Sequence, residues 1–251
     1  MKKWMVTASP HVRSGDTVTG IMLDVIIALL PALIAAVRIF GFRALLVVAV
    51  SVASCVLTEY VSRKIMKREN TIGDLSAVVT GILLAYNLPV DIPLWMVVFG
   101  AIAAIAVVKQ MFGGLGQNFV NPAITGRIVL LVSFPTAMTT FAKPLAWAQG
   151  ADAVTTATPL ASLSQIDLGG NIAAQMNSLS LPTMSQMFFG LIGGSLGEVC
   201  TVALLIGGLY LWARHVISPI VPVSFIGTVA VIMLIAGKGN FSFMAYELFS
   251  G

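Results

Sequence analysis

Charge of either sign is scarce in this chain. Only 10% of its 251 residues are Asp, Glu, Lys or Arg, against 58% hydrophobic. Soluble domains carry about 25% charged and roughly 45–50% apolar residues, so a soluble globular fold is excluded. A mean hydropathy of +0.97 points the same way. Cysteine is nearly absent. Cys55 and Cys200 each sit alone inside an apolar run, which excludes a C-x-x-C metal site or an iron–sulfur ligand set within the chain. Both are read as buried, inert thiols. No G-x-G-x-x-G stands between a strand and a helix, so a nicotinamide-binding unit is missing as well. Lys2 and Lys3 are followed by polar residues rather than a short apolar stretch, so no cleaved signal peptide is expected.

What is present is apolar helix. At about 20 residues per span, the chain has room for about seven or eight crossings beside one long polar loop. The reading is an all-α polytopic membrane protein of about eight or more transmembrane helices, some short or broken, with an inverted repeat. It is taken as one membrane domain over residues 1–251. Spans are expected at 21–37, 44–61, 94–108, 123–134, 196–212 and 220–236, with a short one at 75–88. Pro31 falls inside the first and should kink it. The 75–88 run is too short for a straight crossing and is read as a half-helix or a span broken near its end, a feature that in transporters marks the working site. A re-entrant or early helical piece is expected at 186–194, and 243–249 looks like the beginning of a further helix, so the sequence reads as truncated at this end.

The net charge of +4 is assigned to topology rather than to nucleic acid. With a cytoplasmic N-terminus, Lys2, Lys3, Arg13, Arg63, Lys64, Lys67, Arg68, Lys109, Arg127 and Arg214 fall inside. Arg38, Arg43, Lys143 and Lys238 fall outside, a split that follows the positive-inside rule. The polar stretch at about 135–186 is then extracytoplasmic.

That stretch contains Asp152-Ala153-Val154-Thr155-Thr156-Ala157-Thr158-Pro159. Thr158 before Pro159 has the form of a helix N-cap, since Thr accepts a free amide of the first turn and Pro suits the first helical position. A helix start also attracts phosphate through its exposed amides and dipole, so the same Thr is a place to hang a phosphoester.

Three further features admit two readings each. Asn121-Pro122-Ala123 after a glycine-rich turn either initiates a helix or, with Gln117 and Asn118, lines a cofactor or ion pocket. A second N-P-A, which a water channel would need, is absent. Asp24 and Glu198 lie near the starts of spans, where an acid meets the positive end of the dipole. An acid within a membrane also invites an ion-path reading. Their equivalent places in two span pairs are the hint of an inverted repeat.

The run D-A-V-T-T-A-T resembles the acceptor motif of flavin-transferase substrates, although the family pattern has Gly where Ala153 stands. S-P-H-V-R, I-M-L-D-V-I-I-A-L-L-P-A, L-S-A-V-V-T-G-I-L-L-A-Y-N-L-P and G-G-L-G-Q-N-F-V-N-P-A extend the likeness over essentially the whole chain. The chain resembles the NqrB/RnfD family: D subunits of the Rnf electron-transport complexes and, more distantly, B subunits of the sodium-pumping NADH:quinone reductases. The resemblance implies a flavoprotein subunit of a redox-driven ion pump in a bacterial or archaeal cytoplasmic membrane, passing electrons between ferredoxin and NAD with Na+ or H+ movement. It implies FMN as a phosphoester on Thr158, placed there by a flavin transferase. Asp152, Thr155, Thr156 and Ala157 form the acceptor motif, with Asp152 read as a recognition residue for the transferase. Iron–sulfur and flavin subunits are the implied partners, and riboflavin is a possible second, non-covalent flavin. Broken helices alone equally fit an inverted-repeat solute channel or transporter, which leaves D-x-x-T-x-A-T unexplained.

Overall fold

A computed structural model describes residues 17–148, 155–167, 170, 172–179 and 181–250. Helix α1 (Val18–Phe40) starts where the Thr17 hydroxyl accepts from Gly20 N, and runs unbroken through Pro31. It ends at Gly41, whose φ of 77° and ψ of −167° belong to a region open essentially to glycine alone. That one residue turns the chain into α2 (Phe42–Ile65). The ring of Trp147 fills the space a side chain at 41 would take, and Leu145 N donates to Ile39 O at 2.9 Å. The polar loop is thus docked on the α1–α2 turn.

α2 carries the chain back to a basic end, where a single 3-10 turn (Ile72–Asp74) leads into α3 (Ser76–Tyr86). α3 is the centre of the molecule, with nine of its eleven residues buried. Gly81 lets it lie directly on α2: an added Cβ would come within 2.7 Å of Val52 Cα, and Ser51 Oγ donates to Gly81 O at 2.7 Å. Gly207, in the helix Thr201–Ala213, gives the same close approach to Ala28 of α1. Small residues at contacts and apolar residues outside are how helices pack in lipid. The exterior fits that setting, with Ile34, Leu57, Val132 and Ile235 all exposed.

At about 1.5 Å per residue α3 crosses only about 16 Å of the roughly 36 Å that α2 spans. Residues 87–93 finish the crossing to the Gly41 end, where Arg43 Nε donates to Val90 O at 3.1 Å and pairs with Asp91 at 3.6 Å. From there α4 (Leu94–Ile102) returns and continues as a π-helix over Ala103–Gln110, so that 94–110 is one apolar helix. After the glycine-rich turn, α5 (Pro122–Ser133) rises again, and Phe134 meets Trp95 edge to face at 5.2 Å.

The polar stretch is not structureless. It holds α6 (Pro135–Thr139), the two-residue strands β1 (Phe141–Ala142) and β2 (Thr155–Thr156), α7 (Pro159–Leu163), α8 (Ile172–Ser178) and α9 (Met184–Phe189). Next comes an irregular buried segment, then α10 (Thr201–Ala213), α11 (Ile220–Ala236) and α12 (Phe241–Ser250). α12 folds back so that Phe243 joins Leu163, Ile166, Ile172 and Met176 in a second small core.

The expected span at 196–212 is therefore corrected: the helix starts only at Thr201, and residues 191–200 are non-helical. Leu196 N and Gly197 N donate to Leu88 O and Tyr86 O at 3.0 and 2.9 Å, satisfying the open C-terminus of α3. Two interrupted crossings thus meet inside the bundle. By length and hydropathy, two described helices, Val18–Phe40 and Phe42–Ile65, suffice to cross a membrane, and five further apolar helices are shorter.

Candidate functional site

Thr158 stands at the Gly41 end, on the chain between β2 and α7. The pairing of Phe141 with Thr156 and of Ala142 with Thr155 clips the base of the loop. Asp152, beyond the clip, lies outside the described residues. Thr158 is the N-cap of α7, with Oγ1 accepting from Ala161 N at 3.2 Å. Pro159 and Leu163 are buried, so the cap is held by the packing of the turn that follows it. α7 is five residues long. So short a helix aligns few peptide dipoles, and the expectation that a macrodipole attracts phosphate here loses its basis. The cap geometry stands.

A cleft of about 530 Å³ opens beside Thr158, its wall including Thr155, Thr156, Ala157 and Pro159. Gly193 of the irregular segment packs directly against Thr156 in its wall, and Lys143 is the one cation in its lining. Leu191 belongs both to this wall and to an apolar cleft of about 770 Å³ formed with Trp147, Phe189 and Arg38. Thr158 itself borders the cleft through its neighbours Ala157 and Pro159 rather than lining it; Lys143 supplies a cation there, and the adjoining recess presents the exposed rings of Trp147 and Phe189, a counter-charge and an aromatic surface of the kind a phosphate-tethered planar group uses.

Gln117, Asn118 and Asn121 are not part of this cleft. They sit at the basic end, a full α5 length of about 18 Å away. Asn121 is the N-cap of α5, accepting from Ala123 N at 3.0 Å and Ile124 N at 3.4 Å, with Pro122 at the first helical position.

The two acids singled out in the sequence are brought into different clusters. Asp24 lies in the second turn of α1, where Tyr210 donates to it at 2.9 Å and Arg214 Nη2 at 3.3 Å. Glu198 is not in a helix at all, which corrects its placement at a helix start. Its Oε1 accepts from Ser195 N and Oγ at 3.0 and 2.9 Å. Its Oε2 lies 3.9 Å from Arg127 Nη1, which donates to Asn87 Oδ1 at 2.9 Å. Arg127, expected at the cytoplasmic surface, thus sits within the bundle where the two interrupted crossings meet.

One cluster was not anticipated. Lys109 donates to Glu59 Oε2 at 2.7 Å and to Ser76 Oγ at 2.6 Å, and Thr71 donates to Glu59 Oε1 at 2.8 Å. The acid and the lysine are 0% and 1% exposed. Glu59 is the one acid in the apolar run from 42 to 68, and that was the available signal.

A sequence model of the NQR2, RnfD, RnfE family matches residues 5–251. The D subunit of a Na(+)-translocating ferredoxin:NAD(+) oxidoreductase complex from Acetobacterium woodii is 48% identical over 236 residues, 93% of this chain and 70% of the relative. The D subunit of a proton-translocating ferredoxin:NAD(+) oxidoreductase complex from Clostridium ljungdahlii is 44% identical, covering 90% of this chain and 67% of the relative. The D subunit of an ion-translocating oxidoreductase complex from Rhodobacter capsulatus is 34% identical, covering 98% and 72%.

Proposed function

The chain belongs to the NQR2, RnfD, RnfE family, and from that membership we propose that it is the D subunit of an ion-translocating ferredoxin:NAD oxidoreductase complex, with FMN bound covalently to Thr158. The observation that carries the first part is 48% identity across 93% of the chain to a protein of that description. The second part rests on the D-x-x-T-x-A-T run together with the cleft beside Thr158.

For attachment, Thr158 Oγ1 loses its proton and attacks the flavin-side phosphorus of FAD, forming the phosphoester as the pyrophosphate bond breaks and AMP leaves. A separate, metal-bearing transferase supplies the activation, and Asp152 serves its recognition. Within the finished protein Lys143 neutralises the phosphodiester, while Trp147, Phe189 and Leu191 offer an apolar face. The flavin supplies the redox chemistry, and the protein sets its position and potential. Electrons enter and leave through flavin and iron–sulfur subunits of the complex, since no cysteine cluster exists in this chain.

In a bacterial or archaeal cytoplasmic membrane the basic end, with Arg63, Lys64, Lys67, Arg68 and Arg214, faces the cytoplasm and the Thr158 loop faces outward. Eight or more spans and an inverted repeat are part of this reading. The meeting of α3 with the segment before α10, running in opposite directions, supports it. Glu198 and Asp24 are its ion-path candidates, with Na+ or H+ as the coupled ion, and riboflavin is its second flavin.

The deciding measurement is a denaturing gel of the chain co-expressed with its flavin transferase. A band fluorescent under ultraviolet light is expected, and Thr158→Val abolishes it. A dark wild-type band defeats the covalent-flavin reading. Solute uptake by liposomes bearing the chain alone would instead favour a channel.

A further inference from the structure

Among the described residues, four buried side-chain polar atoms lack a hydrogen-bond partner: Arg63 Nε, Asn118 Oδ1, and both Gln110 Nε2 and Oε1. Folded proteins leave few such atoms, and each needs a reason. Here all of them lie in one place, where the C-terminal turn of α2 packs on the end of the π-helix and the glycine-rich turn. Arg68 Nη1 donates to Gln110 O at 3.0 Å, and Gly114 N to Lys109 O at 2.9 Å. A Cβ on Gly114 would stand 2.5 Å from Arg63 Nη2.

At the same place a cleft of about 240 Å³ is lined by Tyr60, Arg63, Lys64, Arg68 and Asn70. Three of the five are cations, and no acid is in the wall. The positive-inside tendency and the helix C-terminus account for cations here. They do not account for a formed cleft or for an arginine Nε shut away without an acceptor. Leu57 and Val61, toward the middle of the same helix, are exposed and apolar, so the mouth of the cleft stands at headgroup depth. Tyr60, with Lys64 Nζ 5.9 Å from its ring centre, has the amphipathic placement of an interfacial aromatic.

We propose that this cleft binds the phosphodiester headgroup of an anionic membrane lipid, with Arg63 and Arg68 gripping the phosphate and Tyr60 and Lys64 flanking it. A phosphodiester seated in the cleft brings acceptors to the cationic side chains that line it, and guanidinium forks suit its geometry. The acyl chains run down the apolar face of α2. Basic pockets at the cytoplasmic ends of membrane helices bind anionic headgroups by these same interactions.

The test is native mass spectrometry on the full chain, stripped of lipid in detergent and titrated with phosphatidylglycerol, phosphatidylcholine or inorganic phosphate. Phosphatidylglycerol is expected to be retained as one tight adduct, and phosphatidylcholine is not. At about 1 kcal/mol per cation, Arg63→Gln with Arg68→Gln weakens retention about thirtyfold. Lys238→Gln, at the opposite end, leaves it unchanged. Arg63→Lys with Arg68→Lys keeps the preference for the anionic lipid, which separates loss of charge from loss of fold. Equal retention of the two lipids by the wild-type chain overturns the proposal. So does undiminished retention by the double glutamine variant, or binding of inorganic phosphate that displaces the lipid completely.

Discussion

Lys109 and Glu59, 50 residues apart in sequence, meet in a fully buried ion pair, with Nζ 2.7 Å from Oε2. The pair joins the π-wound end of the fourth helix to α2, and through Ser76 Oγ it also holds the first residue of α3. Breaking such a pair from one side strands a charge, at a cost of about 3–5 kcal/mol, while replacing both partners with apolar residues is often neutral. Lys109→Met is therefore expected to lower the melting temperature of the purified chain sharply. Glu59→Leu combined with Lys109→Met should recover most of the loss. Additive losses in that cycle would mean that the pair is not the unit of stability.

Gly41 and Trp147 set a second expectation. A side chain at 41 meets a backbone region that costs about 1–3 kcal/mol, and its Cβ would lie 2.9 Å from Trp147 Cγ. Gly41→Ala should destabilise the chain by about that amount and lift the polar loop, read as faster proteolysis within residues 135–186. Trp147→Ala in the same chain removes the clash but not the backbone strain, so it should return only part of the stability. Full recovery would assign the whole effect to the ring.

The flavin reading makes a prediction about the cap as well as the acceptor. Thr158→Ser keeps both the hydroxyl that accepts from Ala161 N and a nucleophile, so a fluorescent band is expected to persist. Thr158→Asn keeps a good cap but no hydroxyl, so the band should vanish with little change in stability. A fluorescent band that persists in Thr158→Asn would place the attachment on another residue and leave Thr158 only its role as the cap.

Much of the fold was legible because apolar length and punctuation are local. The limits of α11 agree with hydropathy, α3 is short as Asn87 and Pro89 announce, and Asn121 and Thr158 cap the helices their following prolines indicate. The failures have one cause. Leu196 to Cys200 runs directly into the apolar stretch of α10 and so was read as part of that helix, but the amides of Leu196 and Gly197 are satisfied by Leu88 and Tyr86, more than 100 residues earlier, and no local pattern records that. Lys109 was read only as a cytoplasmic charge and Glu59 drew no reading, since a partner 50 residues away is invisible to hydropathy. The π winding of 103–110 left no sequence sign. At the site, the loop residues around Thr158 were readable as a motif, whereas Lys143 and the Trp147–Phe189 recess were assembled only by the docking of the loop on the α1–α2 turn.

Arg127 and Glu198 differ from the buried pair in a way that makes them the better probe of ion coupling. Their side chains are 35% and 44% exposed and 3.9 Å apart, against 2% and 0% for Lys109 and Glu59. A partly hydrated pair at that distance contributes at most about 1 kcal/mol. Glu198→Gln retains the acceptor oxygen for Ser195 and removes the charge, so the fold and the fluorescent band should both survive. If Glu198 lies on the ion path, electron transfer by the assembled complex in vesicles persists in that variant while the ion gradient it builds falls at least several-fold. Arg127→Gln leaves the carboxylate free of its counter-charge and should shift the ion dependence instead. Unchanged coupling in both variants would leave the junction of the two interrupted crossings a structural seam, and the ion path would have to run through Asp24 or a neighbouring subunit.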